Sequence, residues 1–543
     1  MQPHVLDTRA LVALRKLLAI FILFDLQQRY GDGKLSLGWY TSGEDEEVAS
    51  ILAISDTPHG HPLHKDVWFY RGSAHAQRFL FLSLAVTSLA FLLGIGCGVL
   101  GLTTIALYLQ VTALHGRCEP VNDGSDRFLR TILLWCTLLP LNRHLQRTVR
   151  GAAPLGLTCQ LVAMYWGTVA HRWNGRMWWP PHLNAVHYVL TAHFATRDWP
   201  RRWLEAAPTL GHAATACAMA VEVFAPLALL LTQCDAPASR SRSWRAGPCV
   251  LLAAFQLALL ATVRLVNWQL LGALVMVAWL PTATIDRGHR WLYQRMPIAA
   301  IGPPSPFSPQ DDAEEMKDDV PCPPMLSSTS RREAGASVLA CALLAYIAML
   351  WCGERQWLVK PDNGDVGEAL RIGQNWVMFG PEPPVDTHTW RITGGMVIDP
   401  LLDHTSTIVV DVLEAIKAGR WHGDGVEVTV EAAEAAARAP TGQSYRFVNM
   451  RWERVFFVWA QEGRRDARQL DARLRRLGRA LCVESARRRL ESGHAPLEYM
   501  ELSLRRTYIE PRCPWRQYPP LGAREVTTVV EHCDEGRAVA FSK

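Results

Sequence analysis

The chain has 543 residues, 49% of them hydrophobic and 20% charged, with 21 Trp, a balance that suits a membrane protein better than three or four soluble domains. A mean hydropathy of +0.03 excludes a chain apolar throughout, so apolar spans must alternate with a sizeable water-facing part. The 56 Lys and Arg against 51 Asp and Glu leave a formal charge of +5, too small an excess to point to nucleic acid or an acidic partner.

A bilayer core needs about 20 mostly apolar residues per helix. The first such run, 10–27, carries Arg15, Lys16 and Asp25. It is too long and too charged for a cleaved signal peptide and is expected to stay as a first membrane helix. Residues 79–115 are too long for one helix, and Gly94, Gly96, Gly98 and Gly101 supply the break between spans at 79–96 and 99–115. Further runs follow at 128–141, 154–170, 207–232, 248–265 and 268–284. Residues 297–335 hold eight prolines and an acidic cluster, which reads as a linker with no packed core. A ninth run occupies 336–352.

Beyond it the pattern is soluble. Alternation predicts strands over 407–412, 426–430, 445–459, 497–509 and 525–532. Leu470, Leu474, Leu477 and Leu481 repeat at the spacing of an amphipathic helix packed on a sheet. The expected fold is therefore an α-helical polytopic membrane protein of about nine spans with a C-terminal soluble α+β domain. The divisions are a membrane domain over 1–296, the linker over 297–335, a last membrane helix over 336–353 and the soluble domain over 354–543. Arginines near 143–150, 240–245 and 287–295 fall on one side of a nine-span arrangement and favour a cytosolic N-terminus, although those at 172–202 fall opposite. No Cys spacing of a zinc site occurs, while one disulfide among Cys482, Cys513 and Cys533 is open to a region facing an oxidising lumen.

Charged groups within membrane spans are costly, so Arg15, Asp25, Glu222 and Arg264 are either ties between helices or parts of a site. The densest unusual segment, 165–203, holds six Trp, five Arg and His171, His182, His187 and His193. An aromatic belt at the membrane interface and a half-buried pocket that handles protons or an aromatic ligand both account for it. His182 and His187 lack the spacing and neighbouring Glu of a metalloprotease helix, so no metal is expected. After the last span, residues 370–384 form an apolar, aromatic stretch with proline stops, suited to docking the soluble domain onto the membrane part.

Five stretches resemble the HTTM (horizontally transferred transmembrane domain) family, whose best-known member is the vitamin K-dependent γ-glutamyl carboxylase. They are 11–29 with Arg15, Asp25 and Arg29; 122–140 with Asp126, Arg130 and Trp135; 165–190; 222–226; and Gln374-Asn375-Trp376-Val377-Met378-Phe379-Gly380-Pro381, similar to the family's Gln-x-Trp-x-Met-Phe-x-Pro. The likeness covers residues 6–400. It implies an endoplasmic-reticulum membrane enzyme that deprotonates vitamin K hydroquinone and uses the oxidised product to carboxylate Glu in a peptide or protein client.

The family's base is a lysine. On its Tyr-to-Lys spacing, counted from Tyr165, that column falls on Arg172, or on His171 with a one-residue slip. A guanidinium is effectively never deprotonated, whereas a neutral imidazole is a competent base. Asp126 stands where the carboxylase branch carries His. The expected catalytic residues are thus His171, Arg172 and Asp126, with Tyr165, Trp178, Glu222 and Arg15 toward the substrate. The expected surroundings are the lipid bilayer and a Glu-containing client, with neither nucleic acid nor metal. A non-catalytic membrane chaperone or assembly factor with a degenerate site is the alternative. A transporter is a third, for which neither repeated halves nor matched broken helices are seen.

Overall fold

The computed structural model describes residues 5–30, 74–117, 122–142, 148–191, 196–207, 209–232, 246–263, 265–295, 331–354, 376, 386–397, 407–411, 426–428 and 459, and most of 468–482, 497–508 and 524–533. It is mostly helical. A short strand β1 (Val5–Asp7) leads into α1 (Thr8–Tyr30), then α2 (Ala74–Leu93), α3 (Leu102–Arg117) and α4 (Gly124–Thr137). β2 (Thr148–Arg150) pairs antiparallel with β1 and opens α5 (Ala152–Arg172). There follow α6 (Ala185–Thr191), α7 (Asp198–Ala206), α8 (Thr209–Thr232), α9 (Ala246–Thr262), α10 (Val266–Val275), α11 (Thr282–Arg295) and α12 (Arg331–Glu354).

Every apolar run read from the sequence contains a helix, and among the described residues three helices are long and apolar enough to cross a membrane, His75–Leu93, Thr209–Thr232 and Arg331–Trp351, with a fourth crossing if the bent pair Val266–Trp279 and Thr282–Gly288 is one span. The nine-span expectation is therefore met only in its coarser form, a helical chain with membrane-crossing helices. α1 and α5 have the length, but α1 carries Arg15, Lys16 and Asp25, and α5 carries Thr158 and Gln160. The run at 268–284 is not one straight helix. α10 tightens into a 3-10 turn at Met276–Trp279 and the chain turns by 102° before α11, because Pro281 cannot continue the hydrogen-bond ladder.

The glycine break falls where the composition places it. α2 stops at Leu93, Gly94 and Gly96 adopt φ of +83° and +64°, and α3 starts at Leu102. The left-handed backbone is what glycine permits at low cost. α4 starts on a capping box in which Asp123 accepts from its first turn while Asp126 reaches back to the Asp123 N–H, satisfying otherwise orphaned donors. Its Trp135, 0% exposed, lies where a Cβ on Gly156 of α5 would have to be, so glycine sets the approach of these two helices.

The C-terminal strands form one antiparallel sheet in the order β5-β4-β3-β6-β7, with β3 (Asp386–Val397), β4 (Thr407–Asp411), β5 (Val426–Val428), β6 (Tyr499–Tyr508) and β7 (Arg524–His532). Four of these match strands expected from alternation; β3 was not expected, and the stretch 445–458 lies outside the described residues. Leu470, Leu474, Leu477 and Leu481 are all buried, as a helix packed on a sheet requires. Cys482 and Cys533 form a disulfide, tying the end of that leucine repeat to the end of β7.

Candidate functional site

Two buried charged centres lie in the helical part. The first is organised by the last two turns of α5. Tyr165, Thr168 and Arg172 recur at i, i+3 and i+7 and so share one face, and all three are buried. The Arg172 guanidinium forms an ion pair with Glu222 of α8 and lies 4.0 Å from the centroid of Trp178, a cation–π distance. The Trp179 indole donates to the Arg172 carbonyl at 3.3 Å. On the same face Tyr165 accepts from the Gln256 amide of α9 at 2.8 Å.

Pro226 lies inside α8, four residues after Glu222. It has no N–H to give to the Glu222 carbonyl, so the helix is locally open at this residue. One residue on, the Val223 carbonyl accepts the Trp166 indole N–H at 3.1 Å. The local chain thus binds α5 to α8 at successive residues.

The second centre joins α1, α3, α4 and α10. Arg29 donates to Asp25 at 2.7 Å and to Asp126 at 2.5 Å, and to Asn122 at 3.3 Å. Asn267 of α10 reaches Asp25 at 3.5 Å. Arg130 stands 3.0 Å from His115 Nδ1. Because a guanidinium can only donate, Nδ1 must hold a lone pair, which makes His115 the neutral tautomer with its proton on Nε2. Nε2 lies 3.4 Å from the Asp126 carboxylate and 3.9 Å from that of Asp25, so its proton faces both. Two carboxylates, two guanidiniums and a neutral imidazole sum to zero charge.

Asp25, His115 and Asp126 bring one ligand atom each within 4.8 Å of one another, a spacing that could hold a metal ion. The donor chemistry argues otherwise. Arg29 already occupies both carboxylates, and His115 turns an N–H rather than a lone pair toward them.

Trp376, from the Gln-Asn-Trp-Val-Met-Phe stretch, lies between the centres and is 4% exposed. A Cβ on Gly167 of α5 would meet its ring at 3.1 Å. Its centroid is 6.5 Å from Phe128 and 6.3 Å from Trp268, and the Arg127 guanidinium lies over it at 5.9 Å. This indole docks on α4, α5 and α10 together, as a plug would.

Of the residues expected to act, Arg172, Glu222, Trp178 and Tyr165 come together. His171, adjacent to Arg172 but about 100° around the helix, is only partly buried; Arg172 is the one that faces Glu222. Asp126 belongs to the second centre. Arg15 belongs to neither, and Arg264 and His193 lie outside the described residues. The sequence reading missed His115, Gln256 and Asn267. Gln256 is the only strongly polar side chain in an otherwise apolar α9, the kind of lone amide that marks an interhelical hydrogen bond.

No family model, curated protein or solved structure matches the chain.

Proposed function

We propose that the chain is a polytopic membrane protein of HTTM type, similar in architecture to the γ-glutamyl carboxylases, in which the counterpart of the lysine-centred site has become an ion pair joining two helices. It acts as a non-catalytic membrane chaperone or assembly factor, presenting its C-terminal α+β domain to a protein client. The observation that carries this is the buried Arg172–Glu222 pair beneath Trp178. Arg172 keeps its proton under all accessible conditions, and its charge and flat face are already engaged. These residues do not fit the family's deprotonation of vitamin K hydroquinone, and no step through that cofactor is assigned to them.

In the proposed arrangement the less apolar helices α1, α3, α4, α5 and α9 and the bent run from α10 into α11 also cross the membrane, shielded by their neighbours, to give nine spans with the N-terminus cytosolic. An odd number of crossings places the C-terminal domain in the lumen. The Cys482–Cys533 disulfide supports an oxidising compartment for it, and the endoplasmic reticulum is the one that the family likeness favours.

Carboxylation of client Glu residues is the second reading, favoured by the position of the partly buried His171 beside Arg172, where an imidazole could supply a base. One experiment separates the two. Purified protein in detergent is given vitamin K hydroquinone, labelled bicarbonate and a Glu-rich peptide, in parallel with site-specific cross-linking from residues 386–533 in cells. No label above a boiled control, together with a reproducible cross-linked client, is expected. Incorporation that His171→Ala abolishes would overturn the non-catalytic role, and so would an empty capture.

A further inference from the structure

Among the described residues, Arg15 is a buried charged group that neither centre explains. It lies seven residues into α1, about 10 Å along the axis, and is 5% exposed. Among the described residues no carboxylate or other acceptor takes a hydrogen bond from its guanidinium, and its Nε is buried without a partner. A lone buried cation in an apolar bundle is costly, so a complementary anion is the expected neighbour.

The surroundings specify where that anion would come from. The turn 94–101 folds over the guanidinium: a Cβ on Gly94 would coincide with Arg15 Nη1 and lie 3.1 Å from Nη2. Only a residue without a side chain lets the backbone come so close. α1 and α2 run antiparallel, since Tyr30 meets Phe81 at 5.4 Å while Arg15 meets Gly94. The turn therefore follows the end of His75–Leu93, a helix long and apolar enough to cross a membrane, and in the arrangement proposed above, on which this inference rests, it sits at the level of the lipid headgroups. Flanking it are Leu93, Ile95 and Leu102, which are 72%, 60% and 82% exposed, an apolar rim suited to acyl chains.

We propose that Arg15, framed by the glycine turn 94–101, binds the phosphate of an anionic membrane phospholipid. The guanidinium fork matches two phosphate oxygens, the net charge of the lipid neutralises the buried cation, and the rim receives its chains. A zwitterionic lipid offers the same phosphate without the net charge and binds less well.

The test uses the full chain in detergent micelles, with lipid binding counted by native mass spectrometry during titration with phosphatidylglycerol, phosphatidylcholine or inorganic phosphate. The wild type is expected to prefer phosphatidylglycerol. Arg15→Gln should weaken that binding about 10-fold or more, the loss of a charge-assisted hydrogen bond, and Gly94→Ala should do the same by displacing the guanidinium. Arg15→Lys keeps the charge and should retain part of the preference. If Arg15→Gln does not fold, the contrast between Gly94→Ala and Arg15→Lys decides. A preference for phosphatidylglycerol that survives undiminished in Arg15→Gln or Gly94→Ala overturns the proposal. Binding of inorganic phosphate at Arg15 with no preference among lipids overturns the lipid as its source.

Discussion

If the Arg172–Glu222 pair is a tie between α5 and α8, its two halves should be expendable together but not singly. Arg172 and Glu222 are 3% and 5% exposed, so Arg172→Met leaves an uncompensated carboxylate in an apolar bundle, and Glu222→Leu leaves an uncompensated guanidinium. Either change should cost about 3–5 kcal/mol. Arg172→Met also gives up the contact with Trp178, worth about 0.5–2 kcal/mol, so it should be the more damaging single change. The double variant leaves neither charge behind and fills the space with side chains of similar volume. It should be more stable than either single variant and within about 2 kcal/mol of the wild type. The assay is equilibrium unfolding of the purified protein in mixed detergent micelles, followed by tryptophan fluorescence. A double variant as damaged as the two singles added together would refute a paired role, because independent sites add and coupled ones do not.

Three further outcomes follow from the packing and the charges. Gly156→Ala places a methyl where the buried Trp135 ring lies and should cost about 1–3 kcal/mol in the same unfolding assay; an unchanged midpoint would mean that α4 and α5 are not in this contact. Burial pushes the Asp7 carboxyl up, but hydrogen bonds from Arg9 and Thr282 outweigh this and hold it below its ordinary value of 3.8. Asp7 therefore stabilises the fold above pH 3.8 and loses that contribution as the pH falls toward its lower folded value, so Asp7→Asn should flatten the acid limb of the stability profile. Cys482 and Cys533 are 51 residues apart, and closing a loop of that length stabilises by about 4 kcal/mol in the chain-entropy model. Cys533→Ser should lower the stability of the C-terminal sheet, and in the wild type both thiols should resist a maleimide reagent until a reductant is added. Labelling without reductant in freshly broken membranes would place that sheet in a reducing compartment.

The helices were legible because a run of apolar residues needs little else to become one in a membrane. What the runs could not convey was where a helix stops being straight or alone. Residues 268–284 read as one span, yet the 3-10 turn at Met276–Trp279 and the bend before α11 depend on Pro281 and on what packs around it. β3 was missed because its polar start and the Gly394-Gly395 pair break the apolar alternation that marks the other strands. Within the candidate site part of the pattern is local: Asp25 and Arg29 are four apart and pair within one helix, a contact not read from the sequence, and Arg172 emerges on the same helix face as Tyr165. The partners across the bundle were not legible, since Arg29 and Asp126 are 97 residues apart in the chain and Tyr165 and Gln256 are 91 apart. Nothing local in a sequence reports such a distance.

The charged residues in apolar helices nevertheless differ in a way that bears on function. Asp25 is answered by Arg29, Asp126 by the same guanidinium and Glu222 by Arg172. A neutral, hydrogen-bonded set of this kind persists in a membrane interior without any further role, because its charges are satisfied from within. Such residues hold helices in register whether or not chemistry takes place, so their presence alone does not mark a catalytic centre. Arg15 has no counterpart of that sort among the described residues, and it sits at the end of a membrane helix under a turn whose glycine backbone touches it. Among the described residues the fold neutralises these other buried charges internally and leaves Arg15 without a carboxylate. That place, rather than the Arg172–Glu222 pair, is where an outside molecule has most to contribute.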